Sequence, residues 1–317
     1  MTQAGRLEVA GVRVSRLGLG TAPLGNLYAT LPEAEALATV RAALAAGARL
    51  FDTAPLYGAG ESERRVGQAL AATPRGAYTI STKVGRLVHP DGSVQFDFSR
   101  DGVLRSIEAS LARLGLARLD IVHVHDPDTH RREALDVVLP LLADLRRQGV
   151  IGAVGAGMNQ WQMLAEFAEQ ADIDCLLLAG RYTLLEQGGL PLLELCRRKG
   201  IGVLLGGVYN SGILAVGARP GARYNYVAAP PEVLERVGRL EAVCARHAVP
   251  LRVAALQFAA AHPAVASLVV GAVTPAEFTA TADALDAALP LALWADLRVE
   301  GLIAAGAPVP GQPATAP

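Results

Sequence analysis

Four side chains of the kinds that transfer protons follow apolar runs of this sequence. Asp52 and Tyr57 lie in the stretch FDTAPLYGAGESERRVGQAL, while Lys83 ends the run YTISTK and His125 ends LDIVHVH. A phenol has a pKa of about 10, too high for proton exchange near neutral pH, and a nearby ammonium lowers it. We therefore expect Asp52 to hold the Lys83 ammonium beside Tyr57. The phenol would then act as a general acid or base on a carbonyl or alcohol oxygen that His125 orients.

Parallel strands of one sheet would bring these side chains together, because the runs that they follow would all end at the same rim. Continuous rather than alternating hydrophobicity indicates strands buried on both faces, and segments of helical periodicity separate the runs. There are about eight runs, the number in a (β/α)8 barrel, whose strand ends share one catalytic rim. The runs span residues 15–21, 49–53, 78–83, 119–125, 149–155, 174–180, 200–207 and 265–271.

The predicted fold class is therefore α/β, a single (β/α)8 TIM barrel over residues 1–305. A hairpin, RLEVAGVRV, precedes the first barrel strand, extra helices lie near the C-terminus, and the Pro/Gly/Ala-rich residues 306–317 form a disordered tail. Helices are predicted at PEAEALATVRAALAAG, SRDGVLRSIEASLARLG, REALDVVLPLLADLRRQG and PEVLERVGRLEAVCARHA. The alternative is a doubly wound open sheet, but GLGTAPLG is too loose for its GxGxxG fingerprint and GAVGAG lies in mid-chain.

Composition limits the classes of partner. The 317 residues carry a formal net charge of −1 with a pI of about 6.6, which favours neither nucleic acid nor an anionic membrane as partner. Three widely spaced cysteines indicate reduced thiols rather than a disulfide framework or a zinc site. There is no signal-peptide pattern and no apolar run long enough to span a membrane. We expect a soluble cytoplasmic protein, a monomer or small homo-oligomer, for which small neutral ligands remain open.

A metal site is an alternative interpretation of the run LDIVHVHDP. His123 and His125 lie on the same side of one strand with Asp126 behind them, as in the metal centres of barrel hydrolases. Those centres generally need more histidines at later strand ends, and the later runs contain none. We therefore predict no metal and interpret His123 as a core histidine or as a support for His125.

The motifs quoted above resemble those of the aldo-keto reductase family over nearly the whole chain. FDTAPLYGAGESERRVGQAL resembles its Asp-Thr-Ala…Tyr-Gly…Ser-Glu signature, STKVG its lysine strand and LDIVHVHDP its histidine strand. The resemblance implies a nicotinamide-dependent oxidoreductase. Its catalytic residues would be Asp52, Tyr57, Lys83 and His125, and Tyr57 and His125 would also contact the substrate.

The resemblance also implies a cofactor site, although several usual residues are replaced. The positions of the Ser-Asn pair that holds the carboxamide are Gly157 and Met158, the usual glutamine is Ala179, and the usual stacking ring is Gly206. The cofactor-binding residues would be Gly20, Thr21, Asp52, Asn159, Gly206, Gly271, Val273, Thr274 and Glu277. No cation lies between Gly271 and Leu285 to meet a 2′-phosphate, so NAD is expected in preference to NADP.

Within the family, GAGMNQW, LLAGRYTLLEQ and GVYNSGIL resemble the branch of L-fucose and D-threo-aldose 1-dehydrogenases. That resemblance implies hydride transfer from C1 of an aldose to NAD(P), which gives the lactone. From its place just past the sixth strand, Arg181 is expected either to contact sugar hydroxyls of the substrate or to form a salt bridge at the rim. Residues 210–231 form a long loop that is expected to fold over the cofactor. The alternatives are a pyridoxal 4-dehydrogenase or general aldehyde reductase of the same family, and a nucleotide-binding regulatory barrel without catalysis.

Overall fold

A closed barrel of eight parallel strands forms the centre of the computed structural model, which describes residues 7–26, 29–89 and 91–311. Each barrel strand coincides with one of the apolar runs in the sequence, so the predicted barrel is confirmed. The barrel strands are β3 (Leu17–Gly20), β4 (Leu50–Asp52), β5 (Thr79–Val84), β8 (Leu119–His125), β9 (Ile151–Met158), β10 (Cys175–Ala179), β11 (Gly202–Gly206) and β14 (Val265–Gly271). Around the barrel their order is β10-β11-β14-β3-β4-β5-β8-β9.

Helices surround the barrel, and their ends follow the capping signals of the sequence. The hydroxyl of Ser99 accepts a hydrogen bond from the backbone N–H of Gly102, and the helix that begins there ends at Gly115 in the left-handed conformation, as its sequence predicts. The helices are α1 (Glu33–Ala45), α2 (Glu61–Leu70), α3 (Arg100–Leu114), α4 (Arg131–Glu133), α5 (Leu139–Arg147), α6 (Trp161–Gln170), α7 (Leu190–Lys199), α8 (Ile213–Val216), α9 (Pro231–Arg246), α10 (Leu251–Ala260), α11 (Pro275–Leu285) and α12 (Leu291–Val299).

The predicted N-terminal hairpin closes the end of the barrel that lies away from the catalytic rim. Strands β1 (Leu7–Val9) and β2 (Val12–Val14) pair antiparallel, and both turn residues, Ala10 and Gly11, have positive φ values of 48° and 79°. Two positive φ values are what a two-residue hairpin turn requires. Val9 and Val14 are buried in one cluster with Leu50 and Ile121 from the barrel interior.

Two expectations about the chain outside the barrel need adjustment. The helix predicted at 132–149 is interrupted by a π-helical segment, Ala134–Val138, before α5, because Pro140 has no N–H for the regular helical hydrogen bond. Ala307 and Val309 are buried in the core, so packed structure extends beyond residue 305. Residues 312–317 of the predicted tail lie outside the described residues.

Two small hairpins rise from loops at the carboxyl ends of the strands. The first pairs β6 (Arg86–Val88) with β7 (Val94–Phe96), and the second pairs β12 (Arg223–Tyr224) with β13 (Val227–Ala228) inside the long loop. Among the residues that the structure describes, no helix is long and apolar enough to cross a membrane.

Candidate active site

Lys83 and Asp52 form an ion pair inside the mouth of the barrel. Lys83 Nζ lies 2.8 Å from Asp52 Oδ2 and donates a second hydrogen bond of 2.8 Å to the carbonyl of Thr53, while Ser81 Oγ donates to Asp52 Oδ1 at 2.8 Å. Their side chains are 2% and 4% exposed. Burial by itself lowers the pKa of Lys83, but the Asp52 carboxylate and the Tyr57 phenol outweigh it and raise the pKa. The amine is therefore a buried cation held in a fixed position.

Tyr57 lies above this cation, in the loop between β4 and α2. Lys83 Nζ is 4.7 Å from the centroid of the Tyr57 ring, and the ring meets that of His125 edge to face, with centroids 6.1 Å apart. The structure thus brings together all four residues that the sequence singled out. The expected lowering of the Tyr57 pKa is wrong for this structure, because burial raises the pKa of the phenol by more than Lys83 lowers it. Tyr57 is accordingly a protonated donor in the free protein.

His125 is neutral at physiological pH. Burial, followed by the charges of Lys83 and Arg86, lowers its pKa well below the ordinary value. Its Nε2 lies 3.6 Å from Asp126 Oδ2, and Arg86 Nη2 donates to that same oxygen at 2.8 Å. Arg86 and Asp126 thus form a second ion pair behind the histidine, and a neutral imidazole can orient a substrate oxygen without carrying charge into the site.

His123 is fully buried inside the barrel, two residues before His125 on β8 and level with Lys83 in the register of the neighbouring strand. Both of its ring nitrogens are buried without a hydrogen-bond partner, and burial, with a smaller effect from Lys83, lowers its pKa to about 3. A Cβ atom on Gly155 would collide with its ring, so the glycine of the neighbouring strand makes the space for it. Among the residues with described positions, no group of three or more His, Cys, Asp or Glu side chains could hold a metal.

The remaining residues of the opening motif fix the Tyr57 loop in place. Ser62 Oγ is hydrogen-bonded to the Thr21 carbonyl at 2.9 Å, to Thr21 Oγ1 at 2.7 Å and to Thr53 Oγ1 at 3.0 Å. Gly58 has φ 64°, and a Cβ there would collide with the backbone of Gly25. These positions therefore have structural explanations, and Thr21, expected to bind cofactor, orients the backbone behind Asp52.

A cavity of about 850 Å³ opens at this rim. Of the predicted cofactor residues, Gly20, Asp52, Gly206, Gly271 and Glu277 line it, together with Tyr57. Its glycines expose backbone, and a Cβ on Gly206 would make only ordinary contacts. The cavity is therefore large enough for a nicotinamide dinucleotide, which the ends of β3, β11 and β14 would hold.

Other predicted contacts lie outside that lining. Asn159 Nδ2 donates to the carbonyl of Ala179 at 2.8 Å, so its amide is already held at the end of β9. Thr274 Oγ1 accepts from the Glu277 N–H at 3.2 Å, and Glu277 Oε2 accepts from the Val273 N–H at 2.9 Å. These two bonds resemble a capping box, so Glu277 directs its charge to the start of α11.

Arg181, predicted to contact substrate, is held at the edge of the site. Its Nη1 donates to Glu186 Oε2 at 3.1 Å and to Asn225 Oδ1 at 3.0 Å. The Tyr224 hydroxyl donates to the same Glu186 carboxylate. Arg181 therefore anchors the β12–β13 hairpin rather than lining the cavity.

Sequence reasoning gave no role to four aromatic or cationic residues of the cavity wall. Three of them are distant in sequence from the motifs, whereas Tyr209 lies within GVYNSGIL. Tyr209, Arg223, Tyr226 and Arg252 all line the cavity. Tyr226 is at the tip of the β12–β13 hairpin and is 60% exposed. Arg252 comes from the first turn of α10 and provides a cation in the same cavity wall as Glu277. The length of the loop 210–231 could have signalled Arg223 and Tyr226, which lie within it.

Comparisons with known proteins agree with this geometry. Residues 16–298 match the sequence profile of the Aldo/keto reductase family. The chain is 38% identical to a D-threo-aldose 1-dehydrogenase of a Pseudomonas species, over 93% of this chain and 96% of the relative. It is 37% identical to a pyridoxal 4-dehydrogenase of Microbacterium luteolum, over 92% of this chain and 96% of that protein. Its fold is similar to that of an aldo-keto reductase from Bacillus halodurans, with a TM-score of 0.78 at 24% identity, covering 97% of this chain and 98% of that one.

Proposed function

Because this chain belongs to the aldo/keto reductase family of NAD(P)-dependent oxidoreductases, we propose that it oxidises C1 of an aldose of the D-threo type to the lactone, with NAD as acceptor. The observation that carries the proposal is the arrangement of Tyr57 over the buried Lys83–Asp52 pair, opposite His125. The 38% identity to a D-threo-aldose 1-dehydrogenase over 93% of this chain supports the substrate class.

In this reaction the chain's own residues handle the proton. The neutral ring of His125 orients the C1 hydroxyl. Tyr57 first releases its own proton to solvent, and the resulting phenolate takes the proton of the C1 hydroxyl as the hydride leaves C1. Lys83 stabilises that phenolate, because the attraction between an ammonium and a nearby anion is far stronger in a buried site than in water. When bound, the nicotinamide cofactor supplies the hydride acceptor. Reduction of an aldehyde would use the same groups in reverse, with Tyr57 as the proton donor.

The preference for NAD is supported by the charge at the start of α11. Glu277 points its carboxylate at the N–H of Val273, where a 2′-phosphate would otherwise find an uncompensated helix N-terminus. A carboxylate repels that phosphate but can accept a hydrogen bond from a ribose 2′-hydroxyl. Arg252 in the same cavity wall is a cation that the pyrophosphate common to NAD and NADP can use.

A second substrate has support of its own. Pyridoxal carries an aldehyde on an aromatic ring, and the pyridoxal 4-dehydrogenase of Microbacterium luteolum is 37% identical over 92% of this chain. Aromatic side chains in the cavity wall, Tyr209 and Tyr226, could pack against such a ring. Oxidation of pyridoxal, as its hemiacetal, would use the same proton relay.

A substrate panel tests these proposals. The purified protein is assayed with L-fucose, other D-threo aldoses, their C2 epimers and pyridoxal, each with NAD and with NADP, by the absorbance of the reduced cofactor. We expect the highest kcat/KM for a D-threo aldose with NAD, and a lactone as the product. A higher kcat/KM for pyridoxal selects the second substrate, and a higher kcat/KM with NADP contradicts the proposed cofactor preference. Tyr57→Phe is the inactive control and should retain cofactor binding.

A further inference from the structure

A second cavity, of about 270 Å³, lies outside the barrel between the β6–β7 hairpin and α3. It shares no lining residue with the 850 Å³ cavity at the rim. Three arginines and a histidine reach its wall, and no carboxylate does, so the described lining is cationic. The lining residues are Pro55, Arg86, Leu87, Val88, His89, Gln95, Arg105, Ser106, Ala109 and Arg113.

Two donors in this wall are buried without a hydrogen-bond partner among the described residues. Ser106 is 2% exposed, and its Oγ makes no hydrogen bond; the same is true of Arg86 Nε. A buried donor without an acceptor destabilises the folded state, which makes such a pair unusual in a wall that serves packing alone. A bound acceptor in the cavity would satisfy both.

The arginines keep further donors for a ligand. Arg105 uses one nitrogen on Asp97 at 3.0 Å, and Arg113 uses Nε on Glu63 at 2.6 Å. A guanidinium has five N–H groups, so each ion pair leaves N–H groups free for the cavity side. Guanidinium groups match the paired oxygens of phosphate and carboxylate better than ammonium groups do.

We propose that this cavity is an anion site that binds the phosphate group of a small metabolite between Arg86, Arg105 and Ser106. One water molecule in the liquid occupies about 30 Å³, so a cavity of about 270 Å³ has room for a phosphate group with a short carbon skeleton. Free phosphate and phosphate esters offer the same chemistry, and a short carboxylate is the competing ligand.

The site is coupled to the catalytic residues through Arg86. That side chain lines the cavity and also donates to Asp126, which lies behind His125. An anion in the cavity competes with Asp126 for the guanidinium, so removal of the Asp126 charge should tighten anion binding. Linkage is reciprocal, and an occupied site therefore acts on the orientation of His125.

Isothermal titration calorimetry tests the proposal. The full-length protein is first saturated with NADH, so that the rim cavity is filled, and is then titrated with inorganic phosphate or with acetate. We expect one phosphate site per chain. Arg105→Met and Ser106→Val should weaken binding at least fivefold, and Asp126→Asn should tighten it about threefold. The matched control is Arg41→Met, an exposed arginine on α1 outside this lining.

The outcomes separate clearly. Loss of phosphate binding in both cavity variants but not in the control supports the site. If acetate binds more tightly than phosphate, the ligand is a carboxylate and the proposed phosphate is wrong. Absence of saturable binding, or equal binding by wild type and both cavity variants, overturns the proposal. Arg105 is 58% exposed, so its replacement keeps the test valid even where Ser106→Val disturbs α3. None of these outcomes depends on which substrate is oxidised.

Discussion

Lys83 and Asp52 are almost completely buried, so their charges stabilise the fold only as a pair. The sequence predicted that they would meet from the positions at which their strands end, and the 2.8 Å contact confirms it. It did not predict the direction of the Tyr57 pKa, because burial of the phenol depends on the whole loop that surrounds it. At the scale of the residue, the sequence thus predicts which side chains meet, but it does not predict how burial and neighbouring charges together shift a pKa.

Removal of one member of this pair separates the structural role from the catalytic one. Lys83→Met leaves the Asp52 carboxylate buried and unpaired, so we expect the free energy of unfolding to fall by about 3–5 kcal/mol. The double variant Lys83→Met/Asp52→Asn should regain most of that stability. Turnover should stay at least 100-fold below wild type in both, because neither has a cation beside Tyr57. Denaturant titrations and kcat measurements check this, and recovery of turnover in the double variant would contradict the role of Lys83.

His123 should make stability depend on acid pH. Its pKa is about 3 in the folded chain and near 6.5 when unfolded, so between these values the unfolded state binds a proton that the folded state refuses. Stability from this group is therefore present above pH 6.5 and is lost as the pH falls towards 3. His123→Leu should flatten that decline by about one proton, roughly 1.4 kcal/mol per pH unit. Urea titrations at pH 4–7 measure the slopes, and parallel curves for the two proteins would count against this account.

Close contacts between elements explain glycines that the sequence leaves ambiguous. Gly67 lies in the interior of α2, and a Cβ there would collide with the backbone of Leu114 at the end of α3, whereas one on Gly238 in α9 would meet nothing within 4 Å. Strand runs were predictable because burial on both faces gives continuous apolar sequence. Helix-to-helix contacts, like the π-helical segment before α5, follow from tertiary packing and have no comparable local pattern.

The two glycines form a matched pair for testing this explanation. Gly67→Ala should destabilise the protein by about 1–3 kcal/mol, because α2 and α3 must move apart to admit the methyl group. Gly238→Ala should stabilise it by about 0.5–1 kcal/mol, since alanine has the higher helix propensity and open space around it. Thermal and denaturant unfolding of both variants provides the comparison. Equal effects of the two substitutions would contradict the close approach of α2 and α3.

At the scale of the whole molecule, the barrel brings into one cavity groups that no sequence motif connects. The sequence search for a cation was confined to the segment 271–285, but Arg252 reaches the cavity from α10. Closure of the barrel places β14 beside β3, so the wall proposed to hold the cofactor phosphates is assembled from both ends of the chain. Contacts of this kind depend on the placement of α10 and α11 together and could not be inferred from spacing.

The opposing charges of Glu277 and Arg252 give the cofactor preference a direct test. Glu277→Gln removes the carboxylate from the start of α11, so the ratio of kcat/KM for NADP to that for NAD should rise about tenfold, equivalent to about 1.4 kcal/mol. Arg252→Met should lower kcat/KM for both cofactors by a similar factor, because its cation serves the pyrophosphate that they share. Initial-rate kinetics with each cofactor at saturating aldose measure both ratios. A loss confined to NADP in Arg252→Met would instead assign this arginine to the 2′-phosphate and reverse the expected preference for NAD.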